Sequence, residues 1–385
     1  MTLLLLAAIT VSAAFEGGAL KSHEWVAEDH LVAVIPGQAD QDGRNHQPSW
    51  FYFSISGIKG RTLTVEVAGF EGEYNYRPHD GRGHRNTRPA FSYDGQQWAH
   101  FAEAEWLDSP ARLRLKFTAR ENTIWIARIP PYRLIEINNL LASFLKNPLV
   151  RVEEIGRSVE GRPLQVITVK RGNPGRVVWV LARQHAWEAG TSWALEGAVR
   201  FLLGGSAEAG RLLDRFSFCF LPTMDPDGLV RGGVRFNRHG YDLNRNWDVD
   251  DPVKMPEIAA VKRWMLRQGQ KPALFLSLHN TESADFLQGP MTAGGAVVKQ
   301  VGERLNQALV EGSHFHAPGG VRDYAKEPPA KGRMVADQWV FERFGVPSFL
   351  MELMVDTNPK IGRPPGTKDR LEFGAALMRA IGAAL

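Results

Sequence analysis

Val177-Val178-Trp179-Val180-Leu181-Ala182 carries no polar residue and leads directly into Arg183-Gln184-His185-Ala186-Trp187-Glu188. An unbroken apolar run rich in valine is the pattern of a strand covered on both faces. A helical pattern begins near Ala189, with Leu195, Val199 and Leu202 at helical spacing. A histidine and a glutamate three apart, at the exit of a buried strand, can turn toward one point and hold a metal ion at the sheet edge. Leu276-Ser277-Leu278-His279 offers a third donor in the same setting.

Outward from this stretch, strand-like runs at Leu164–Val169, Phe216–Leu221, Leu274–Leu278 and Ser348–Leu353 alternate with helical ones at Ala189–Leu203, Pro256–Arg267 and Leu371–Leu385. Such alternation predicts an α/β domain with a mixed, mostly parallel sheet flanked by helices. Ligands bind such sheets beyond the strand ends, where His185, Glu188, His279 and Glu352 fall.

The first third reads differently. Trp50–Ile55, Thr62–Val67 and Thr123–Ala127 are rich in aromatic and β-branched residues, and Arg112–Phe117 alternates basic with apolar. The pattern predicts a small antiparallel β-sandwich over residues 22–132, with Tyr74–Pro89 as an exposed loop. Pro130-Pro131 closes it, and the α/β domain follows over 133–385. Residues 1–14 form a short apolar run ending in the small-residue site Val11-Ser12-Ala13. It resembles a secretory signal peptide without a preceding basic residue, so export and a cytoplasmic location both stay open.

The chain has 385 residues, a formal charge of +4 and one cysteine. Two domains are expected at this length. The weak positive charge, without a Lys/Arg-rich run, argues against nucleic acid as a partner. Cys219 cannot form a disulfide within the chain and sits in an apolar run, as a small core residue would. The apolar N-terminal run is too short to cross a bilayer, so no transmembrane segment is expected. Nothing in the sequence sets an oligomeric state.

His-x-x-Glu alone is weak, for it occurs at His100/Glu103, His185/Glu188 and His279/Glu282. The loop between the second and third is more specific. Asp225-Pro226-Asp227-Gly228 is a turn after a buried strand, followed by Arg235 and Asp242-Leu243-Asn244-Arg245-Asn246-Trp247. A guanidinium is shaped to grip a carboxylate with two hydrogen bonds, and two arginines ten apart could hold a substrate carboxylate and polarise a nearby carbonyl.

In this order the motifs resemble the metallocarboxypeptidases of the pancreatic-carboxypeptidase superfamily, and most of all the cytosolic carboxypeptidase branch, which carries an N-terminal β-sandwich. Trp50-Phe51-Tyr52-Phe53 and Ser92-Tyr93-Asp94-Gly95-Gln96-Gln97-Trp98 resemble segments of that sandwich. The resemblance implies one zinc ion held by His185, Glu188 and His279, with Asp242 accepting a hydrogen bond from His185. It implies Glu352 as general base, Arg235 as stabiliser of the oxyanion, and Asn244 and Arg245 as the dock for a peptide's C-terminal carboxylate. Tyr324 is the one tyrosine between His279 and Glu352 and is the candidate for the mobile, substrate-binding tyrosine of the pancreatic type. Ala186-Trp187 departs from the Pro-Gly common in the cytosolic branch, and the arginine some pancreatic-type members carry before the glutamate ligand is replaced by Trp187. The expectation is hydrolysis of a C-terminal peptide or isopeptide bond, with release of acidic residues as one specificity. A cell-wall peptide amidase or carboxypeptidase, and a non-catalytic peptide-binding module on the same fold, remain as alternatives.

Overall fold

The computed structural model describes residues 9–43, 46–74, 77–324 and 329–385. Two five-stranded sheets pack face to face in the N-terminal domain. The first runs β1 (Thr10–Ser12), β4 (Tyr52–Ser56), β12 (Thr123–Ala127), β8 (Ala90–Ser92) and β9 (Ala99–His100). The second runs β10 (Glu105–Asp108), β11 (Ala111–Thr118), β5 (Thr62–Ala68), β3 (His30–Val34) and β2 (Ser22–Ala27). Their inner faces meet through Phe51, Phe53, Ile55, Val65, Val67, Leu113, Leu115, Ile124 and Ile126, all buried.

The alternation of β11 works as its sequence predicts. Leu113 and Leu115 point into the core, while Arg112 and Arg114 face outward and meet Glu66 on β5. Arg112 Nη1 donates to one oxygen of Glu66 at 2.6 Å and Arg114 Nε to the other at 2.9 Å.

Two differences from the sequence reading concern this domain. Thr10–Ser12 pairs antiparallel with Ser54–Ser56, so the sandwich begins before residue 22, and cleavage after Ala13 would strip this edge strand. Residues 1–8, the rest of that apolar run, lie outside the described residues. The 74–89 segment is not simply an exposed loop. It contributes β7 (Arg77–His79), which pairs with the preceding β6 (Gly72–Tyr74), and it buries His84 against the Phe70 ring at a centroid distance of 5.0 Å.

Helix α1 (Leu134–Phe144) leads into an eight-stranded sheet. Its order is β13 (Val150–Arg157), β14 (Pro163–Val169), β16 (Ser217–Leu221), β15 (Val177–Ala182), β17 (Leu274–Thr281), β20 (Ser348–Met354), β18 (Phe286–Gly289) and β19 (Val321–Asp323). The four central strands are parallel. Helices α2 (Ala189–Leu203), α3 (Ala207–Arg215), α4 (Pro226–Arg231), α5 (Pro256–Arg267), α6 (Gly295–Gly312), α7 (Ala336–Phe344) and α8 (Thr367–Ala384) complete the domain.

The apolar run that defines β15 is buried along its whole length. Val178, Val180 and Ala182 join the core under α2, α6 and α8, while Val177, Trp179 and Leu181 join the core under α5 and α7. Two covered faces leave no position for a polar residue, which is why the run is continuous. From β15 the chain passes to β16 on one side and later to β17 on the other. That reversal opens a crevice at the carboxyl ends of the central strands. Among the described residues, no helix is long and apolar enough to cross a membrane.

Burial alone would raise the Glu66 carboxyl, but hydrogen bonds from Arg112 and Arg114 outweigh it and hold it below its ordinary 4.5. Its stabilising contribution is therefore present above pH 4.5 and is lost as the pH falls through the lowered native value. Glu66→Gln should destabilise the protein by about 2 kcal/mol near neutral pH, with the difference vanishing in acid. Thermal unfolding of both forms at pH 7 and pH 3 checks this.

Candidate metal and active centre

The chain turns sharply as it leaves β15. Arg183 adopts a left-handed backbone with φ of 59°, a strained conformation for a non-glycine residue. Its buried side chain holds the turn in place: Nε donates to the Ala186 carbonyl at 2.7 Å and Nη1 to the Tyr132 carbonyl at 3.0 Å. Burial pushes the guanidinium down to about 10, still protonated at neutral pH. The Asp225-Pro226-Asp227-Gly228 segment packs alongside. Asp225 caps α4 by accepting from Gly228 N at 2.8 Å, and proline stands at the first helical position.

His185, Glu188 and His279 converge. One ligand atom from each lies within 4.8 Å of the others, and all three residues are buried. His185 Nδ1 is 2.7 Å from Glu188 Oε1, and His279 Nδ1 is 3.0 Å from Glu188 Oε2. The outer nitrogens also have partners. His185 Nε2 meets Asp242 Oδ1 at 3.1 Å, the contact the resemblance implies. His279 Nε2 faces Ser277 Oγ at 3.0 Å, Asn244 Nδ2 at 3.1 Å and Gln184 Oε1 at 3.2 Å.

Charge follows from this geometry. Burial would raise the Glu188 carboxyl, but the two imidazoles hold it low, so it stays ionised. Burial and Arg235 push His185 down, yet the carboxylates of Glu188 and Asp242 on its two sides outweigh them and raise it above 6.5. His279 has only Glu188, and burial wins, lowering it. Glu352 sits beside His279 in the β17–β20 register. Its carboxyl is raised well above 4.5, by burial first and then by the charges of Glu188 and Glu282. Its Oε2 is buried with no hydrogen-bond partner among the described residues. Two inward imidazole nitrogens and one carboxylate, with an adjacent unsatisfied acid, form a donor set that fits zinc.

The loop from 235 to 247 is folded by its own polar groups. Phe236 and Asp242 form an isolated antiparallel bridge, which places Arg235 Nε 2.7 Å from Asp242 Oδ2. Asp242 Oδ1 also accepts from Asn244 N at 2.8 Å. Trp247, fully buried, donates Nε1 to the Leu243 carbonyl at 2.9 Å and anchors the loop in the core.

The resulting cleft, of about 720 Å³, is lined by the metal cluster, Arg235, Asn244, Arg245, Tyr324, Arg333 and Glu352, and by His46, Ser49, His79 and His84 of the N-terminal domain. Of the sequence-picked residues all but Asp242 line this cavity, and Asp242 stands behind His185; two are engaged differently from the expectation. Asn244 is buried; its Nδ2 meets His279 and its Oδ1 accepts from Ala336 N at 3.0 Å, so its amide is held against His279. The Tyr324 hydroxyl donates to Asp337, whose carboxyl burial pushes up to about 7. His100, from the weak His-x-x-Glu pair, binds the Arg88 carbonyl at 2.7 Å and takes no part.

Gln184 was not anticipated. Its amide is fixed by Leu243 O at 2.5 Å and by Ser277 Oγ at 2.6 Å, which aims Oε1 at His279. No local pattern marks an amide as a histidine's support, so the sequence holds no signal for it. The N-terminal wall of the cleft was equally hidden.

Asp242→Asn should weaken zinc binding about 10- to 100-fold, because the outer nitrogen of His185 loses the carboxylate that raises its basicity. Competition with a chelator at fixed pH reads this directly.

Comparison with known proteins follows the same outline. A zinc carboxypeptidase family model matches residues 137–363, and a model of the cytosolic carboxypeptidase N-terminal domain matches residues 11–129. An uncharacterized protein of Zymomonas mobilis is 29% identical over 262 residues, covering 68% of this chain and 65% of that protein. Cytosolic carboxypeptidase 6 of Mus musculus is 27% identical over 185 residues, 44% of this chain and 34% of that protein. The chain therefore spans less than two thirds of the length of these relatives. A crystal structure of a metallo-carboxypeptidase from Burkholderia cenocepacia superposes with a TM-score of 0.86 at 25% identity, covering 98% of each chain. With that family model matching more than half of its length and His185, Glu188 and His279, a group that could hold a metal ion, gathered at one buried point, the chain belongs to the zinc carboxypeptidase family.

Proposed function

We propose that this protein is a zinc-dependent carboxypeptidase that removes the C-terminal residue of a peptide through a peptide or isopeptide bond. The observation that carries this reading is the convergence of His185, Glu188 and His279, with Glu352 Oε2, which has no hydrogen-bond partner among the described residues, beside them in the cleft. Zinc, when bound there, supplies a Lewis acid that polarises the carbonyl and makes water nucleophilic near neutral pH. Glu352 takes the proton from the attacking water and delivers it to the leaving amine. Burial and the neighbouring Glu188 raise its proton affinity, the property a general base needs. Arg235, held at the cleft wall by Asp242, stabilises the negative charge that develops on the carbonyl oxygen.

Arg245 docks the terminal carboxylate. Asn244, whose amide is engaged by His279 and Ala336, orients a metal ligand in this reading. Acidic terminal residues suit a cavity in which Arg333 joins Arg245. The relatives' printed name, cytosolic carboxypeptidase, supports a cytoplasmic location, and the pairing of β1 with β4 supports retention of Thr10–Ser12 in the working protein.

Glu352→Gln should keep one zinc per chain and lose about 10³-fold in kcat. A variant with zinc bound and full turnover would refute the base assignment. Arg245→Ala should raise KM about 30-fold for peptides with a free C-terminus, with far less effect on amidated ones. Comparing peptides ending in glutamate and in leucine, with and without Arg333→Ala, checks the acidic preference. An unchanged ratio removes it.

A further inference from the structure

Arg128 lies just beyond the last strand of the N-terminal sandwich, and its side chain is 1% exposed. Its guanidinium reaches across the domain boundary. Nη1 stays with its own domain, donating to the Ser49 carbonyl at 2.8 Å. Nη2 donates to Glu282 Oε1 of the α/β domain at 2.9 Å. The guanidinium carbon sits 4.4 Å from the centre of the Trp187 ring.

The two things it touches are the neighbours of the metal ligands. Trp187 stands between His185 and Glu188, and Glu282 follows His279 by three residues. Trp187 is itself buried in an apolar cluster that joins the domains, with Trp50, Tyr52 and Ile129 on one side and Leu229 and Val355 on the other. A planar guanidinium can stack on an indole and hydrogen-bond through its edge at the same time, which an ammonium cannot do. Burying it is costly unless its partners are fixed, so the three contacts hold one another.

We propose that Arg128 is a positioning residue of the metal centre: anchored by Ser49, it holds Trp187 and Glu282 together, and with them the His185–Glu188 turn and the His279 end of β17. The proposal rests on the zinc reading of that cluster. It assigns the N-terminal domain a part in preorganising the site as well as in walling the cleft.

The test uses the full-length chain with zinc, and with cobalt as a spectroscopic stand-in. Arg128→Gln and Glu282→Gln should each weaken zinc binding about tenfold in chelator competition and alter the visible spectrum of the cobalt form. The double variant should be little worse than either single one, because both act through one contact. Wild-type zinc affinity and cobalt spectrum in both variants, with only the Tm lowered, would overturn the proposal and leave Arg128 a plain interdomain tie. Should Arg128→Gln not fold, Glu282→Gln, whose side chain is 32% exposed, decides by the same two readouts. Failure of the wild-type chain to bind stoichiometric zinc is a different result, and it removes the metal reading itself.

Discussion

The structure turns on a crowding of like charge in a dry place. Glu188 and the Oε2 atom of Glu352 are both buried at the carboxyl edge of one sheet, and the charge of Glu188 raises the proton affinity of Glu352. Two imidazoles partly relieve Glu188, but Glu352 Oε2 has no hydrogen-bond partner among the described residues. Zinc, bound there as proposed, would offset the repulsion that burial magnifies.

The rest of the fold can be understood as support for that arrangement. A strand with two buried faces cannot slip without exposing one of them, so β15 is a rigid platform for the turn that carries His185 and Glu188. Parallel pairing of β15 with β17 and of β17 with β20 then brings His279 and Glu352 to the same edge. Around the ligands lies a ring of oriented polar groups. Asp242 holds one imidazole, Gln184, Ser277 and Asn244 surround the other, and Arg183 clamps the strained turn beneath. Each is fixed in turn by a backbone contact or a neighbouring side chain, so little reorganisation is left for the moment of reaction.

The N-terminal sandwich belongs to this machinery. It contributes His46, Ser49, His79 and His84 to the cleft wall, and its apolar contact with the α/β domain ends at Trp187, beside the ligands. A cavity shared by two domains can change its specificity through one domain while the other keeps the chemistry.

Much of this was written in short stretches of sequence. The continuous run at 177–182 announced a doubly covered strand, and the alternation at 112–117 announced a half-covered one, because side-chain direction repeats every two residues along a strand. The helices Ala189–Leu203 and Pro256–Arg267 were legible from their apolar spacing. The ordered motifs picked out His185, Glu188, His279, Asp242 and Glu352, which the fold brings together. The sequence did not show that the Asn244 amide is engaged by His279, that Tyr324 donates to Asp337, that Gln184 backs a ligand, or that Arg128 reaches across from the other domain. Such contacts join residues as far apart as Arg128 and Glu282, 154 positions along the chain. Local periodicity determines which face of an element is buried. Which distant side chains then share a hydrogen bond depends on strand order and domain docking, and only the folded chain decides those.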